Sequence, residues 1–166
     1  WAQGKDSLDE IIVTATKRDE RLRDVPMAIS VLGEDTLEIA GITDSQGIAD
    51  SIPGMTFNRA GNNLNPSFII RGIGTALNQD NLASPVAVYL DEMPMSASKS
   101  TVRMDFGLFD AARVEVLKGP QGTLFGAGTL AGAVRIISNK PDPSGLSYKI
   151  SSDIGSTSGE LRQRYN

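Results

Sequence analysis

The side chains able to do chemistry in this chain are carboxylates, guanidiniums and ammoniums, because its 166 residues include no His and no Cys. Ser-His and Cys-His nucleophilic sites, thiolate catalysis, disulfides and most zinc chemistry fall away with them. Paired carboxylates survive. Asp91 with Glu92, and Asp105 with Asp110, have the residue types of a general acid/base or Ca2+ pair; their loop settings favour plain solvated acids. A second group is charges inside strand-like sequence: Arg71, Arg113, Glu115 and Arg135. A charge there either faces solvent or is paired. Arg71, directly after Phe68-Ile69-Ile70, and Arg113, at the head of an alternating run, are candidates for buried pairing with a partner.

The glycine-rich stretch Gly122-Thr123-Leu124-Phe125-Gly126-Ala127-Gly128 fits G-x-x-x-G-x-G after a strand. That is the layout of a short-chain-dehydrogenase phosphate turn, in which glycines let the backbone approach a pyrophosphate. The setting argues against it. Too little chain follows for the rest of a nucleotide fold, and no acid stands about 20 residues on in a second strand. There is also no Tyr-x-x-x-Lys pair and no Walker A lysine. Packing and turn geometry are the simpler reading of these glycines. A soluble nucleotide-binding enzyme is retained as a rival, and a free-standing soluble binding module as a second.

Charge is uneven: 11 acids to 5 bases over residues 1–50, 5 to 4 over 51–112, and 4 to 7 over 113–166, for a net −4. No like-charge run reads as a nucleic-acid patch. Five Phe, three Tyr and one Trp offer little for bases to stack on. The longest apolar run, Val86–Leu90, is far short of the ~20 residues of a membrane helix. No signal peptide is visible.

The elements that must position these residues are short. Met27 to Leu32 predicts a strand and residues 33–40 a helix ended by Gly41; Asp44 caps a second helix that stops before Pro53. Strands are predicted at Ser67–Arg71, Val86–Leu90, Arg113–Lys118 and Ala133–Ser138. Long polar loops separate them, at 58–66, 72–85 and 91–105. The reading is an α/β (α+β) domain with a small mixed sheet, short helices and long polar loops. Three such loops in a small domain imply binding.

The two ends differ from this middle. Glu10-Ile11-Ile12-Val13-Thr14-Ala15-Thr16 is a β-branched block between acids and bases. It is either the first strand of the domain or a peptide donated to a partner's sheet edge. After residue 142, Tyr148, Ile150 and Ile154 alternate with Lys149, Ser151 and Asp153, and Leu161, Gln163 and Tyr165 with Arg162 and Arg164, around a turn at 155–159. A membrane barrel strand and an ordinary half-exposed hairpin both have that pattern.

In this order the pieces resemble the plug domain of TonB-dependent outer-membrane receptors, over about residues 8–141. The most specific segment runs from Arg113-Val114-Glu115-Val116-Leu117-Lys118-Gly119-Pro120 through Leu124-Phe125-Gly126 to Ala131-Gly132-Ala133-Val134-Arg135-Ile136-Ile137-Ser138-Asn139-Lys140-Pro141. Ile70-Arg71-Gly72 resembles the family's IRG element, Pro53-Gly54-Met55 its PGV, and Tyr89 to Pro94 its Y-x-DG-V-P, with Glu92 where Gly is usual. Ala131-Gly132 stands for a Gly-Gly pair and Phe125 for Tyr.

The resemblance implies a plug at 25–141. Residues 1–24 would be a flexible segment holding a TonB box at about 9–16, far from any core, and 142–166 the start of a 22-stranded barrel. It further implies a receptor without a sigma-regulating module, of which this chain is a piece. Glu10, Ile11, Ile12, Val13, Thr14 and Ala15 would bind a TonB-type energy-coupling protein. Arg71, Arg113, Glu115 and Arg135 would pair charges across the plug–barrel contact. Arg59, Asn62, Asn63, Asn78, Gln79, Met95 and Arg103 would lie on the ligand side, and Gly72, Gly119, Gly122, Gly126, Gly128 and Gly132 would be structural. No enzyme activity, cofactor, metal or nucleic acid is implied. The partners are the coupling protein, the barrel with its membrane, and a siderophore-like ligand. The location is the Gram-negative outer membrane, with the N-terminus periplasmic.

Overall fold

A computed structural model describes residues 11–14, 16–58, 67–74, 84–95, 107–141 and 143, and the backbone of 152–157 and 160–165. Its centre is a five-stranded mixed sheet of β3 (Ile29–Gly33), β6 (Val86–Leu90), β7 (Met93–Pro94), β8 (Ala111–Lys118) and β9 (Gly132–Ser138), in the order β3-β8-β9-β6-β7. β6 and β9 are parallel and the other pairings are antiparallel. β4 (Met55–Asn58) and β5 (Ser67–Ile70) form a separate antiparallel ladder, as do β1 (Ile12–Val13) with β2 (Glu20–Arg21).

The central sheet is covered on both faces, which is why β6 and β9 are apolar nearly throughout. One face carries Val86, Val88, Val114, Val116, Val134 and Ile136. Helices α1 (Glu34–Ile39) and α2 (Ser45–Ser51) and the β4–β5 ladder close over it, with Leu37, Ile48, Ile52, Phe57 and Phe68. Phe57 and Phe68 stand opposite each other across that ladder with ring centroids 4.9 Å apart. The α2 start follows from the sequence: Asp44 Oδ1 accepts the Gly47 N–H at 2.8 Å, a side-chain cap worth about 1 kcal/mol. The helix ends at Ile52, the residue before Pro53.

The other face carries Leu117 and Ala133, covered by Val13, Val25 and Phe125. Here the expectation for the N-terminal block is corrected. Val13 is wholly buried, so this block is part of the domain and not a leash remote from its core. The physical reason is period two: Ile12 points to solvent, Val13 into the second core.

The strand expectations hold within a residue or two, with β8 starting earlier, at Ala111. The sequence reading passed over β4, β7 and α3 (Gly122–Phe125). At the chain's end β10 (Ser152–Thr157) pairs antiparallel with β11 (Glu160–Tyr165), Thr157 opposite Glu160. The connection is therefore two residues, and Gly155, Ser156 and Thr157 belong to a strand instead of the expected turn.

Among the described glycines, Gly132 is the tightest. A Cβ there would sit 2.2 Å from the Leu117 carbonyl oxygen and 2.9 Å from Ile70 Cδ1, at φ +154°. Gly72, Gly119, Gly126 and Gly128 also take positive φ. Gly122 does neither: φ is ordinary and the space around it is open, so nothing in the fold requires glycine there.

Candidate functional site: the seat of the N-terminal segment

The charges on β8 and β9 meet under the N-terminal segment. Register sets them in one row across the second face, because Val31 is opposite Glu115, Glu115 opposite Arg135, and Arg135 opposite Tyr89. Glu115 and Arg135 are buried, at 0% and 1% exposure. Ionised groups at such depth are tolerated only when paired and fully hydrogen-bonded.

Pairing is what the fold supplies. Arg135 Nη1 donates to Glu115 Oε2 at 2.8 Å, and its Nη2 donates to Glu92 Oε1 at 2.9 Å. Arg113 Nε donates to Glu115 Oε1 at 2.8 Å. The guanidinium of Arg135 also lies over the Phe125 ring, 5.4 Å from its centroid. Phe125 packs edge-on against Tyr89 at 5.3 Å and accepts the Tyr89 hydroxyl through its carbonyl. Burial pushes the Tyr89 phenol above its usual 10.0; Arg135 opposes this and Glu92 adds to it. Arg135 Nε is buried and unpartnered among the described residues.

Thr14 closes the arrangement from above. Its N–H donates to Glu115 Oε1 at 3.0 Å and its hydroxyl accepts from Arg135 Nη1 at 2.8 Å. A longer contact links that hydroxyl to Arg113 Nη2 at 3.4 Å. Only two residue pairs join β1 to β2, with one further bond from Leu22 N–H to the Ile11 carbonyl. The segment is thus held by a short ladder, one buried valine and one threonine over an ion network.

The charge residues expected to pair across a barrel contact stand as follows. Arg113, Glu115 and Arg135 satisfy one another inside the domain. Arg71 is apart from them, exposed, at φ +52°, with its N–H on the Gly54 carbonyl. Of the residues expected to bind a coupling protein, Ile11, Ile12, Val13 and Thr14 form the seat's cover; Glu10 and Ala15 lie outside the described residues. Of the residues expected on the ligand side, Met95 packs against the main core and donates its N–H to the Val88 carbonyl at 2.8 Å. Arg59, Asn62, Asn63, Asn78, Gln79 and Arg103 lie outside the described residues.

Of the two carboxylate pairs, Asp105 lies outside the described residues, and Asp91 and Glu92 each take a structural partner. Asp91, at φ +53°, takes the Ser138 N–H and hydroxyl at 2.9 Å each, while Glu92 goes to Arg135. No group of three or more potential metal ligands occurs among the described residues. The glycine motif holds a four-residue helix inside it and runs on into β9; a phosphate turn instead opens a long helix. Sequence reasoning singled out Glu92 as a turn departure without finding its partner. The signal available was a buried-type strand, β9, carrying one arginine that needs more than one acceptor.

Residues 21–133 match the TonB-dependent Receptor Plug Domain family, and the chain belongs to it. The chain is 32% identical over 139 residues to the pesticin receptor of Yersinia pestis, covering 83% of this chain and 20% of that protein. It is 28% identical over 151 residues to an iron-regulated outer membrane virulence protein of Vibrio cholerae, covering 84% of this chain and 22% of that protein. In structure it is similar to the ferric yersiniabactin uptake receptor FyuA from Yersinia pestis, with a TM-score of 0.61, 28% identity, and coverage of 77% of this chain and 18% of that one. The pyoverdine outer membrane receptor FpvA from Pseudomonas aeruginosa shares the fold, at TM-score 0.62 and 22% identity over 92% of this chain and 21% of that one. The chain spans about a fifth of the length of the curated relatives it matches.

Proposed function

We propose that this chain is the plug of an outer-membrane active transporter of a Gram-negative bacterium, gating energy-coupled uptake of a scarce nutrient of the ferric-siderophore class. The membership in the plug family and the names of its relatives support the class of cargo. The plug performs no covalent chemistry. Residues 25–141 form the plug, 142–166 begin the barrel, and the loops around 58–66, 74–85 and 92–107 face the ligand.

The observation that carries the coupling role is the build of residues 11–14. They are β-branched, with Ile11 and Ile12 half exposed, and their strand pairing within the plug is only two residue pairs long, the rest of their hold being Val13 and Thr14. A partner that adds Ile11-Ile12-Val13-Thr14 to its own sheet edge gains main-chain hydrogen bonds in exchange for that ladder. Traction on the segment then acts on the plug through Val13 and Thr14. Arg71 is the charge available for a barrel carboxylate, being exposed and with no carboxylate within 4 Å among the described residues.

The test is Ile12→Pro in the full-length protein. Proline removes a donor and fixes φ, so strand addition fails. Cells should still bind a ferric siderophore at their surface but accumulate none. Wild-type accumulation would overturn the coupling role.

A further inference from the structure

We propose that Glu92 is a positioning residue for the N-terminal segment: it orients the Arg135 guanidinium that holds Thr14. Glu92 touches no residue of that segment in any hydrogen bond of the seat; it acts through Arg135 alone. The guanidinium is planar and donates in fixed directions. Glu92 Oε1 fixes one end at Nη2 and Glu115 Oε2 fixes Nη1. With both ends pinned, the remaining Nη1 proton is aimed at Thr14 Oγ1, 2.8 Å away. Replacing the Glu92 carboxylate by a neutral amide weakens the bond to Nη2 and removes the charge attraction, which lets the plane turn away from Thr14.

The turn is built to allow this. Leu90 and Met93 are paired, so Asp91-Glu92 is a two-residue connection. Positive φ falls on Asp91 and not on Glu92. The second position therefore needs no glycine and is free to carry a side chain that reaches back over the sheet. The Glu92 side chain is 69% exposed while Arg135 is 1% exposed. A surface carboxylate, open to salt and to anything that docks on the β6–β7 hairpin, thus sets the grip on a segment in the second core.

The meaning of the grip for transport rests on the coupling role proposed above; the grip itself does not. The test is hydrogen exchange of the 11–14 amides in the full-length protein, with neither ligand nor partner added. Glu92→Gln should raise exchange at 11–14 about threefold, in the range of an exposed ion pair, and leave β9 unchanged. Asp91→Asn, in the same turn, should act at Ser138 and not at 11–14. Thr14→Val should raise exchange as Glu92→Gln does, and the double variant should add nothing further. Three results overturn the proposal: wild-type exchange at 11–14 in Glu92→Gln, an equal rise throughout β9, or full additivity with Thr14→Val. Those results leave the Ile12→Pro uptake test untouched, and its failure would leave the exchange pattern standing.

Discussion

Glu115→Gln is the most informative single change, because one buried carboxylate gathers both arginines and the Thr14 amide. It keeps the shape and removes the charge. Glu115 Oε1 accepts from Arg113 Nε and Thr14 N–H, and Oε2 from Arg135 Nη1. A glutamine amide can keep one oxygen for these donors, but its NH2 would face a guanidinium nitrogen across 2.8 Å. Arg135 is 1% exposed and cannot turn to water without opening the sheet. Breaking a buried pair from one side costs about 3–5 kcal/mol; Arg135 retains Glu92, so the lower end, about 3 kcal/mol, is expected. Hydrogen exchange of the β8–β9 amides in the full-length protein reads this as a rise of about a hundredfold, at 1.4 kcal/mol per decade. Glu115→Leu combined with Arg135→Met should recover part of the loss, because a packed apolar pair replaces an ion pair at little net cost while Arg113 Nε and the Thr14 N–H still lack their acceptor. A rise below about fivefold in Glu115→Gln would refute the reasoning, since it would mean that water already reaches the pair.

Two further outcomes are expected beside the Ile12→Pro and Glu92→Gln tests. Gly132→Val should destabilise by more than about 3 kcal/mol, because its Cβ would sit 2.2 Å from backbone at Leu117; a melting temperature equal to wild type would contradict the close approach. Tyr89→Phe should cost about 1 kcal/mol for the lost bond to the Phe125 carbonyl. The phenol's raised value means that this contribution is at full strength below 10.0 and is lost as pH rises from 10.0 through the folded value. Denaturation titrations of the Phe variant should lack that alkaline slope.

Local elements were legible where local rules act. The α2 helix follows from Asp44 and Pro53, and β8 from strict alternation between Arg113 and Lys118. β4 was not, because Met55-Thr56-Phe57-Asn58 is four residues between a turn and a polar loop, and it is made a strand by pairing with β5. Alternation in β8 also misleads about burial. It normally separates an inner from an outer face, whereas here Glu115 and Val116 are both fully buried because the sheet is covered twice.

The sequence by itself removed His- and Cys-based chemistry and set out the short strands, while the receptor class came from the order of motifs between Pro53 and Pro141, which resembles the plug family. The seat of the N-terminal segment was decided by tertiary structure alone. Thr14 and Glu115 are 101 positions apart, and Arg135 lies a further 20 along. No periodicity or cap spans such separations; only strand register and the covering of both sheet faces bring a surface carboxylate, two arginines and a threonine hydroxyl to one point.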